Sequence, residues 1–489
     1  MDNSPSATTP LTDTQLSTIR EHLIEAMPGF LGRQRWFADK HRQVTGVELT
    51  ELIVLDDDKN TILLTIAAIQ FADGERSRYF IPLLLTAHAW HQTSALCAVA
   101  HEGKTFDIVD AIAEPAFHRW LLRAIRANQD VDTEHGRIEC RWEHRMELPV
   151  DLSGKVAGVE QSNSSILIGD SLIAKVYRRV TPGTNPDVEV GTFLTRNTSF
   201  TGAPALVGSV QLVHQQVPIT LVMVQEQLSN PVDSWTHLLD SLQRDDWGSA
   251  AVGLPLGAVT AQLHLALASG SEFPEFAPTD AAGTDIATWK TALEAGVDAV
   301  SKLLVERLEH FDHPVRQFAE NFLGVAPVLR QRAQGFESLT GLPLIRVHGD
   351  YHLGQVLRLP GGRLSIVDFE GEPQRPIDER RLKTSPLKDV AGMLRSFSYG
   401  RGATAAGAGE NRSRSLLKWE QNQRRLFIAE YRRTVSSSRP RLIPEHQDDF
   451  NAAITAWEID KALYEVEYEL SSRPGWLWLP LSSLVALGE

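Results

Sequence analysis

The chain has 489 residues, with 48 Lys and Arg against 62 Asp and Glu, so its formal net charge is −14. This length suits roughly two to four domains. A hydrophobic content of 42% excludes wholesale disorder. The excess of acidic residues argues against a protein whose main task is neutralising nucleic-acid phosphates. The two cysteines, Cys97 and Cys140, cannot form a disulfide framework or a cysteine-rich zinc site, so we expect a reducing, cytoplasmic setting.

The first part of the chain predicts a small module of helix and sheet. After a lead-in without the features of a secretory signal, residues 13–27 have the pattern of an amphipathic helix. Three strand-like runs follow at 47–55, 61–71 and 77–85, separated by the turn sequences DDDKN and ADGE. We therefore expect one helix packed on an antiparallel sheet.

A second β-rich segment follows a helix predicted at residues 115–127. One of its strands carries Lys175, and a helix that begins near Pro186 carries Glu189. An unpaired ammonium in a strand would be costly to bury, so a carboxylate on that helix is the expected partner. Glu189 is the first candidate, and Asp187 is the alternative.

Two further stretches of this segment are candidates for contact with a nucleotide. Hydroxyls, amides and backbone NH groups in a turn can cradle phosphate oxygens, although an exposed polar turn explains the same composition. The candidates in the turn are Gln161, Ser162, Asn163 and Ser164. The last strand ends at Glu226, Gln227 and Leu228, where a kinase hinge would bind adenine, and this assignment is positional.

Beyond residue 230 the pattern is mostly helical, with a short β-rich insertion at 344–369. Residues 250–270 contain no Asp, Glu, Lys or Arg and could span a bilayer by length. Pro255 and His264 interrupt this stretch and its leucines recur at helical spacing, so we favour a core helix with His264 as a satisfied core histidine. Residues 400–409, rich in Gly and Ala, predict a flexible loop.

The strongest chemical signal is RVHGDYHLGQVLR followed by SIVDFEGEP. Two short strands deliver Asp350 and Asp368 into loops, and Gln355 follows Asp350 at the spacing of the kinase catalytic loop, where Asn is more usual. In phosphoryl transfer one carboxylate accepts the hydroxyl proton, while an amide and a second carboxylate hold Mg²⁺. The alternative is a tight turn in which Asp350 caps a backbone amide.

Candidates for the acceptor site lie on the last long helix. Aromatic rings bind the C–H faces of sugars, and charged groups bind their hydroxyls, so a helix face with both suits a sugar. The alternative is that the rings pack the core and the charges are solvated. The acceptor-side candidates are Lys461, Tyr464, Glu465, Tyr468 and Trp476 on or after this helix, with His348 and Glu370 beside the acidic loops. The loop setting of His348 also favours a role as scaffold for Asp350.

Four segments resemble the bacterial maltokinases, which belong to the aminoglycoside-phosphotransferase-like, eukaryotic-type kinase superfamily. They are HGDYHLGQ, DFEGEP, SPLKDVAGMLRSFSY and DKALYEVEYELSSRPGWLWLPL, and the early WFADK departs mildly from the WFGGK common in that family. The resemblance implies an α+β, bilobal protein-kinase-like fold. It divides the chain into an N-terminal α/β cap at 1–112, a β-rich intermediate subdomain at 113–228 and a mostly helical C-terminal catalytic lobe at 229–489.

The same resemblance implies ATP-dependent phosphorylation of maltose at its anomeric hydroxyl, which gives maltose 1-phosphate for α-glucan and glycogen synthesis. It implies Asp350 as the base, Gln355 and Asp368 as Mg²⁺ ligands, and Lys175 on the ATP phosphates. It also implies that Asp389 braces the catalytic loop. We expect ATP, Mg²⁺ and maltose as small-molecule partners and a trehalose-isomerising enzyme as a candidate protein partner, with no nucleic acid and no membrane.

The sequence is also compatible with two rival functions. The first is a kinase of the same fold for glucosamine, another amino sugar or an aminoglycoside, which the carboxylates Glu465, Glu467 and Glu469 would favour. The second is a catalytically inactive pseudokinase that serves as a binding module. Intact Lys175 and Asp350 argue against the second, because pseudokinases commonly lose such a residue.

Overall fold

The computed structural model describes residues 11–57, 60–86, 95–101, 104–144, 146, 154–157, 163–373, 375–405 and 409–489. The chain divides into two compact units. The first comprises Met1–Arg196 with Pro204–Leu228, and the second comprises Asn197–Ala203 with Ser229–Glu489. The boundary that the sequence predicts at 112/113 lies inside the first unit and stays a prediction.

The first unit contains two antiparallel sheets and, among its described residues, three helices. The helices are α1 (Asp13–Arg33), α2 (Pro115–Ala127) and α3 (Pro186–Asn197). The strands are β1 (Val44–Asp57), β2 (Asn60–Phe71), β3 (Arg76–Thr86), β4 (Ala95–His101), β5 (Lys104–Asp110), β6 (Asp130–Asp132), β7 (Arg137–Trp142), β8 (Gly154–Val156), β9 (Asn163–Ile168), β10 (Leu172–Tyr177), β11 (Arg179–Val180), β12 (Leu206–His214) and β13 (Val217–Glu226).

One sheet has the order β1-β2-β3-β5-β4, with β11 paired to β3, and the other has the order β6-β7-β12-β13-β10-β9-β8. The three predicted N-terminal strands are confirmed as β1, β2 and β3, whereas β4 and β5 were not predicted from the sequence. The predicted N-terminal helix begins where expected, after a capping box at Thr12. It is longer than expected at its C-terminal end, because its apolar face continues through Phe30 and Leu31.

Helix α2 joins the two sheets through its apolar face. Phe117, Leu121 and Ile125 are buried in one cluster that also contains Ile62 of β2 and Val222 of β13. The helix begins with Pro115 at its first turn and ends at a left-handed Asn128, which matches its predicted bounds. Both sheets of the first unit therefore share this hydrophobic cluster, and a second cluster lies between α1 and the sheet of β1 to β5.

The second unit is mostly helical. Its helices are α4 (Ser234–Gln243), α5 (Gly253–Leu267), α6 (Gly283–Arg307), α7 (His313–Arg332), α8 (Ile377–Arg380), α9 (Leu387–Ala405), α10 (Glu410–Val435), α11 (Gln447–Ser472) and α12 (Trp478–Gly488). Its short strands are β14 (Val232–Asp233), β15 (Thr279–Asp280), β16 (Pro343–Leu344), β17 (Val356–Arg358) and β18 (Leu364–Ile366). Strands β17 and β18 lie within the β-rich insertion predicted at 344–369 and β16 ends at its start, whereas their partners β14 and β15 come from earlier in the chain.

The uncharged stretch forms helix α5, and His264 on it is fully buried, as predicted for a core helix. No helix in the described part of the chain is long and apolar enough to cross a membrane. The predicted loop at 400–409 is wrong for its first half, because α9 continues to Ala405. Gly400 and Gly402 are buried there against Leu238 and Leu479, so these glycines serve close packing, and residues 406–408 lie outside the described residues.

Candidate active site

The loop that carries Asp350 follows β16 and is held from behind by helix α9. The backbone NH groups of His348 and Gly349 donate to the two carboxylate oxygens of Asp389, over 2.8 and 3.0 Å. Gly349 has a φ of 88°, in the left-handed region that favours glycine, and a Cβ there would lie 3.2 Å from the Cα of Gly371. The loop therefore turns sharply at a position where a side chain would disturb its neighbour.

Asp389 is itself anchored by the core histidine of α5. His264 Nε2 lies 3.1 Å from Asp389 Oδ2, and His264 Nδ1 lies 2.9 Å from the Tyr431 hydroxyl of α10. Burial alone would raise the pKa of Asp389, but the hydrogen bond and charge of His264 together with the amide of His348 hold that pKa below its usual range. Helices α5, α9 and α10 thus together fix the position of the loop that carries Asp350.

The second acidic loop follows β18 and is tied to the first. Val367 NH donates to the Gln355 carbonyl over 3.0 Å, and the Gln355 side-chain amide donates to Asp368 Oδ2 over 3.0 Å. Asp368 has a φ of 69°, a strained conformation of the kind that often occurs at functional sites. The amide and carboxylate predicted to hold Mg²⁺ are therefore in contact, and both offer the oxygen ligands that this hard cation prefers.

His348 joins the same two loops. Its Nε2 donates to the Val367 carbonyl over 3.0 Å, and its ring packs against the rings of Tyr351 and Phe369 at centroid distances of 5.3 and 5.1 Å. The residue is 1% exposed. His348 therefore has the scaffold contacts that its loop setting predicted, and its role on the acceptor side stays a prediction. Glu370 is half-buried, and its predicted role stays a prediction.

Asp350 is paired with a lysine that lies 111 residues away in sequence. Lys461 Nζ of α11 lies 3.1 Å from Asp350 Oδ1, and His352 Nε2 lies 4.0 Å from Asp350 Oδ2. Burial would raise the pKa of Asp350, but the charges of Lys461 and His352 outweigh it and lower that pKa. Asp350 is therefore ionised at neutral pH, the state that a proton acceptor needs.

Lys461 also contacts Glu372, a residue that the sequence did not single out. Its Nζ lies 3.3 Å from Glu372 Oε1 and 4.7 Å from the centre of the Tyr464 ring. The carboxylate of Glu372 is 4% exposed. The only sequence signal for Glu372 was its place in DFEGEP, two residues after Glu370.

The remaining candidates on the predicted acceptor face include one that forms an ion pair and two aromatic side chains. Glu465 pairs with the buried Arg395 of α9 over 2.7 Å, so its carboxylate is committed within the protein. Tyr468 is 38% exposed. The Trp476 ring stacks on Tyr399 at 6.3 Å with an interplanar angle of 14°. Arg395 was also not singled out, because an arginine inside an apolar helix gives no local sign of its partner.

In the first unit the predicted lysine lies on a strand, as expected. Lys175 of β10 is opposite Ser165 of β9, and its Nζ lies 3.3 Å from Asp187 Oδ2 at the start of α3. The Tyr177 hydroxyl donates to the same oxygen over 3.3 Å. The ion pair of Lys175 thus involves Asp187, which the sequence left as the alternative to Glu189, and Glu189 is half-buried on the same helix.

The polar run before β9 is described only in part. Gln161 and Ser162 lie outside the described residues. Asn163 and Ser164 are buried at 8% and 7% exposure and pair with Tyr177 and Val176. They belong to strand β9 and not to an exposed turn, because the hairpin extends further than its composition suggested.

Ser164 also has a side-chain partner. Its hydroxyl accepts a hydrogen bond from Arg178 Nε over 2.9 Å, and Arg178 pairs with Asp110 over 2.6 Å. The hydroxyl of Ser164 thus accepts a hydrogen bond inside the first unit. Its own O–H remains a donor, and its contact with phosphate stays a prediction.

The predicted adenine hinge is also partly engaged within the first unit. The Glu226 NH donates to the Ala205 carbonyl over 2.9 Å, and the Gln227 NH donates to the Ser171 carbonyl over 2.8 Å. These bonds engage the NH groups of Glu226 and Gln227, and the contact of both residues with adenine stays a prediction. Leu228 is half-buried, and its contact with adenine stays a prediction.

Comparison with known proteins identifies the N-terminal part of the chain. Residues 30–113 match the family described as the maltokinase N-terminal cap domain. The chain carries a maltokinase-type cap. This cap contains strands β1 to β5 and the WFADK segment, so the mild departure of WFADK from the common form of the motif does not remove the match.

The longer matches are to glucosamine kinases. The chain is 28% identical over 343 residues to the glucosamine kinase of Streptacidiphilus jiangxiensis, covering 67% of this chain and 72% of that protein. It is 28% identical over 389 residues to that of Mycolicibacterium smegmatis (strain ATCC 700084 / mc(2)155), covering 77% and 88%. A glucosamine kinase solved with glucosamine, ADP and inorganic phosphate aligns with a TM-score of 0.69 at 22% identity, over 96% of this chain and 98% of that one.

Together the cap and the shared fold confirm the predicted resemblance and fold class. An α/β cap, a sheet-rich region and a helical C-terminal part occur in that order, as in a kinase-like fold. The residue roles within the site do not follow from a likeness of fold, because they depend on the contacts of this chain.

Proposed function

We propose that this protein is an ATP- and Mg²⁺-dependent sugar kinase that phosphorylates maltose at its anomeric hydroxyl, giving maltose 1-phosphate and ADP. The observation that carries the proposal is the ionised Asp350 beside Lys461, on a loop tied to Gln355 and Asp368. This is the arrangement that phosphoryl transfer to a hydroxyl requires. The match of residues 30–113 to the maltokinase cap supports maltose as the acceptor.

In the proposed reaction the sugar hydroxyl attacks the γ-phosphate roughly in line, and Asp350 accepts its proton. The bond between the γ-phosphate and ADP breaks as the new bond to the sugar oxygen forms. Gln355 and Asp368 would hold Mg²⁺, which supplies positive charge to the phosphate oxygens when bound. Lys175, oriented by Asp187, would contact the ATP phosphates.

The charges near α11 favour a neutral acceptor over an amino sugar. Glu465 pairs with Arg395 over 2.7 Å, and Glu469 pairs with Arg473 over 2.7 Å. Glu467, the remaining carboxylate of the set that would favour an amine, is exposed. A protonated amine would meet carboxylates that already have cationic partners, so it would gain little Coulomb energy from them.

Aromatic side chains complete the proposed acceptor site. Tyr464 and Tyr468 are four residues apart on α11 and therefore lie on one face of the helix, and Trp476 follows that helix. Arg473 lies over the rings of both Tyr468 and Trp476, at 5.4 and 5.3 Å from their centres. Rings and charged groups together suit the C–H faces and hydroxyls of a disaccharide.

Glucosamine is the second candidate acceptor, because two relatives that match over most of this chain are named glucosamine kinases. The deciding experiment offers maltose, glucose, glucosamine and kanamycin separately with ATP and Mg²⁺. We expect phosphorylation of maltose at the anomeric position, read by product mass and by the position of the phosphate. Activity confined to the amino-bearing acceptors would contradict maltose as the substrate, and no activity with any acceptor would contradict the sugar kinase itself.

A further inference from the structure

Glu372 is a buried carboxylate at the meeting point of two helices and the second acidic loop. Lys461 of α11 lies 3.3 Å from its Oε1, Lys388 of α9 lies 3.9 Å from its Oε2, and Arg375 pairs with the same Oε2. The residue lies beyond Phe369 and the left-handed Gly371, with a φ of 72° at that glycine. Burying a carboxylate is expensive unless cations compensate it, and here three cations do so.

The arrangement places Lys461 between two carboxylates. Its Nζ lies 3.1 Å from Asp350 Oδ1 and 3.3 Å from Glu372 Oε1, and its side chain is 17% exposed. An ammonium has three hydrogens to donate, and its third side faces the Tyr464 ring at 4.7 Å. Lys461 is thus positioned by Glu372 as much as by Asp350.

We propose that Glu372 is a positioning residue for the transfer step, which shares Lys461 with Asp350 so that the lysine is not paired with Asp350 alone. This proposal rests on the function proposed above. Without the carboxylate of Glu372, the only carboxylate still paired with Lys461 among the described contacts would be Asp350. Asp350 would then be a weaker proton acceptor, and its Oδ1 would be more tightly held.

Other charged groups also face Glu372, and they determine whether its replacement raises or lowers the pKa of Asp350. Lys388, Arg375 and Lys461 outweigh the effect of burial and lower the pKa of Glu372, so it is ionised at neutral pH. Asp460 of α11 is a further carboxylate near this cluster, and burial raises its pKa. Replacing Glu372 by a neutral residue leaves the cations in place, so it makes the surroundings of Asp350 more positive.

The test variant is Glu372→Gln in the full chain. We expect kcat for maltose to fall by about tenfold or more, a fraction of the ~10²–10⁴-fold that a positioned base contributes. The KM for ATP should change by less than about twofold. The acid limb of the profile of kcat/KM against pH should move to lower pH, because a more positive surrounding lowers the pKa of Asp350.

The matched control is Glu379→Gln. Glu379 is a carboxylate on α8 that lies 3.6 Å from the same Arg375, but it is half in solvent, and its described ion pair is with Arg375 and not with Lys461. We expect wild-type kcat and an unshifted pH profile. Glu372→Asp keeps the charge one methylene shorter and should restore part of the lost kcat, which a purely steric defect would not allow.

Each result decides the proposal. Wild-type kcat and pH profile in Glu372→Gln would overturn it. Equal losses in Glu372→Gln and Glu372→Asp, with lowered melting temperatures and weakened ATP binding in both, would also overturn it and indicate a structural role. If the wild-type protein phosphorylates no acceptor, the proposed function fails first, and the inference falls with it.

Discussion

The carboxylate of Asp350 depends on neighbouring residues for its charge and for its position. Lys461 at 3.1 Å keeps Asp350 ionised despite burial. Asp389, which accepts two amides of the same loop, keeps the backbone in the required turn. Charge and position are thus supplied by different residues, so the two can be tested separately.

Replacing Asp350 with Asn keeps the shape of the side chain but removes its capacity to accept a proton. We expect kcat to fall by about 10²–10⁴-fold, the usual contribution of a positioned general base. ATP affinity, measured by calorimetry, should stay within about twofold, because Lys175 and Asp187 are unchanged. Near-normal turnover in Asp350→Asn would show that another group takes the proton.

At the scale of elements, the second unit depends on close approach between helices α5 and α10. A Cβ on Gly253 would lie 2.5 Å from the Gln423 carbonyl oxygen, and a Cβ on Gly257 would lie 2.5 Å from that of Phe427. These neighbours are backbone atoms that cannot move like a side chain. The glycines therefore determine how close the helix that carries His264 can come to the helix that carries Tyr431.

Gly257→Ala should therefore destabilise the second unit by about 1–3 kcal/mol, the usual cost of overpacking. The matched control is Gly324→Ala on the exposed side of α7, where nothing lies within 4 Å of the added Cβ. That change should be neutral or stabilise the protein by about 0.5–1 kcal/mol, because alanine favours helix. Thermal unfolding followed by circular dichroism measures both, and equal melting temperatures would refute the packing argument.

At the scale of the whole molecule, the cap is continuous with the sheet that carries Lys175. Ile62 and Phe80 of the cap strands share a buried cluster with Ala174 and Val222 of the second sheet. Apolar surface buried in one cluster is removed from water only when both parts are present. We infer that the cap is part of the folding unit of the sheet that carries Lys175.

Deleting residues 1–112 should therefore leave an insoluble or molten chain and not an independent kinase. The expected result is aggregation on expression, or exposed apolar surface reported by dye binding if the protein is recovered. The intact chain under the same conditions is the control. A soluble truncated protein with a cooperative unfolding transition would show that the cap is dispensable for folding.

Local sequence determined most of the helices and strands, and it indicated which of them carry the candidate site residues. The bounds of α2 follow from a proline start and an apolar face, and Lys175 lies on its strand as the strand-like run after the turn Gly169-Asp170 predicts. The spacing from Asp350 to Gln355 indicated one loop, and Gln355 indeed contacts Asp368. Such features depend on neighbours within a few residues, so a single sequence contains their signal.

Tertiary structure alone decided which charges meet. Lys461 reaches Asp350 across 111 residues, and Arg395 reaches Glu465 across 70 residues. It also extended α9 through a glycine-rich stretch, where buried glycines permit close packing. Ion pairs and helix contacts between distant segments have no local period or spacing, so the sequence shows each partner separately, and only folding joins them.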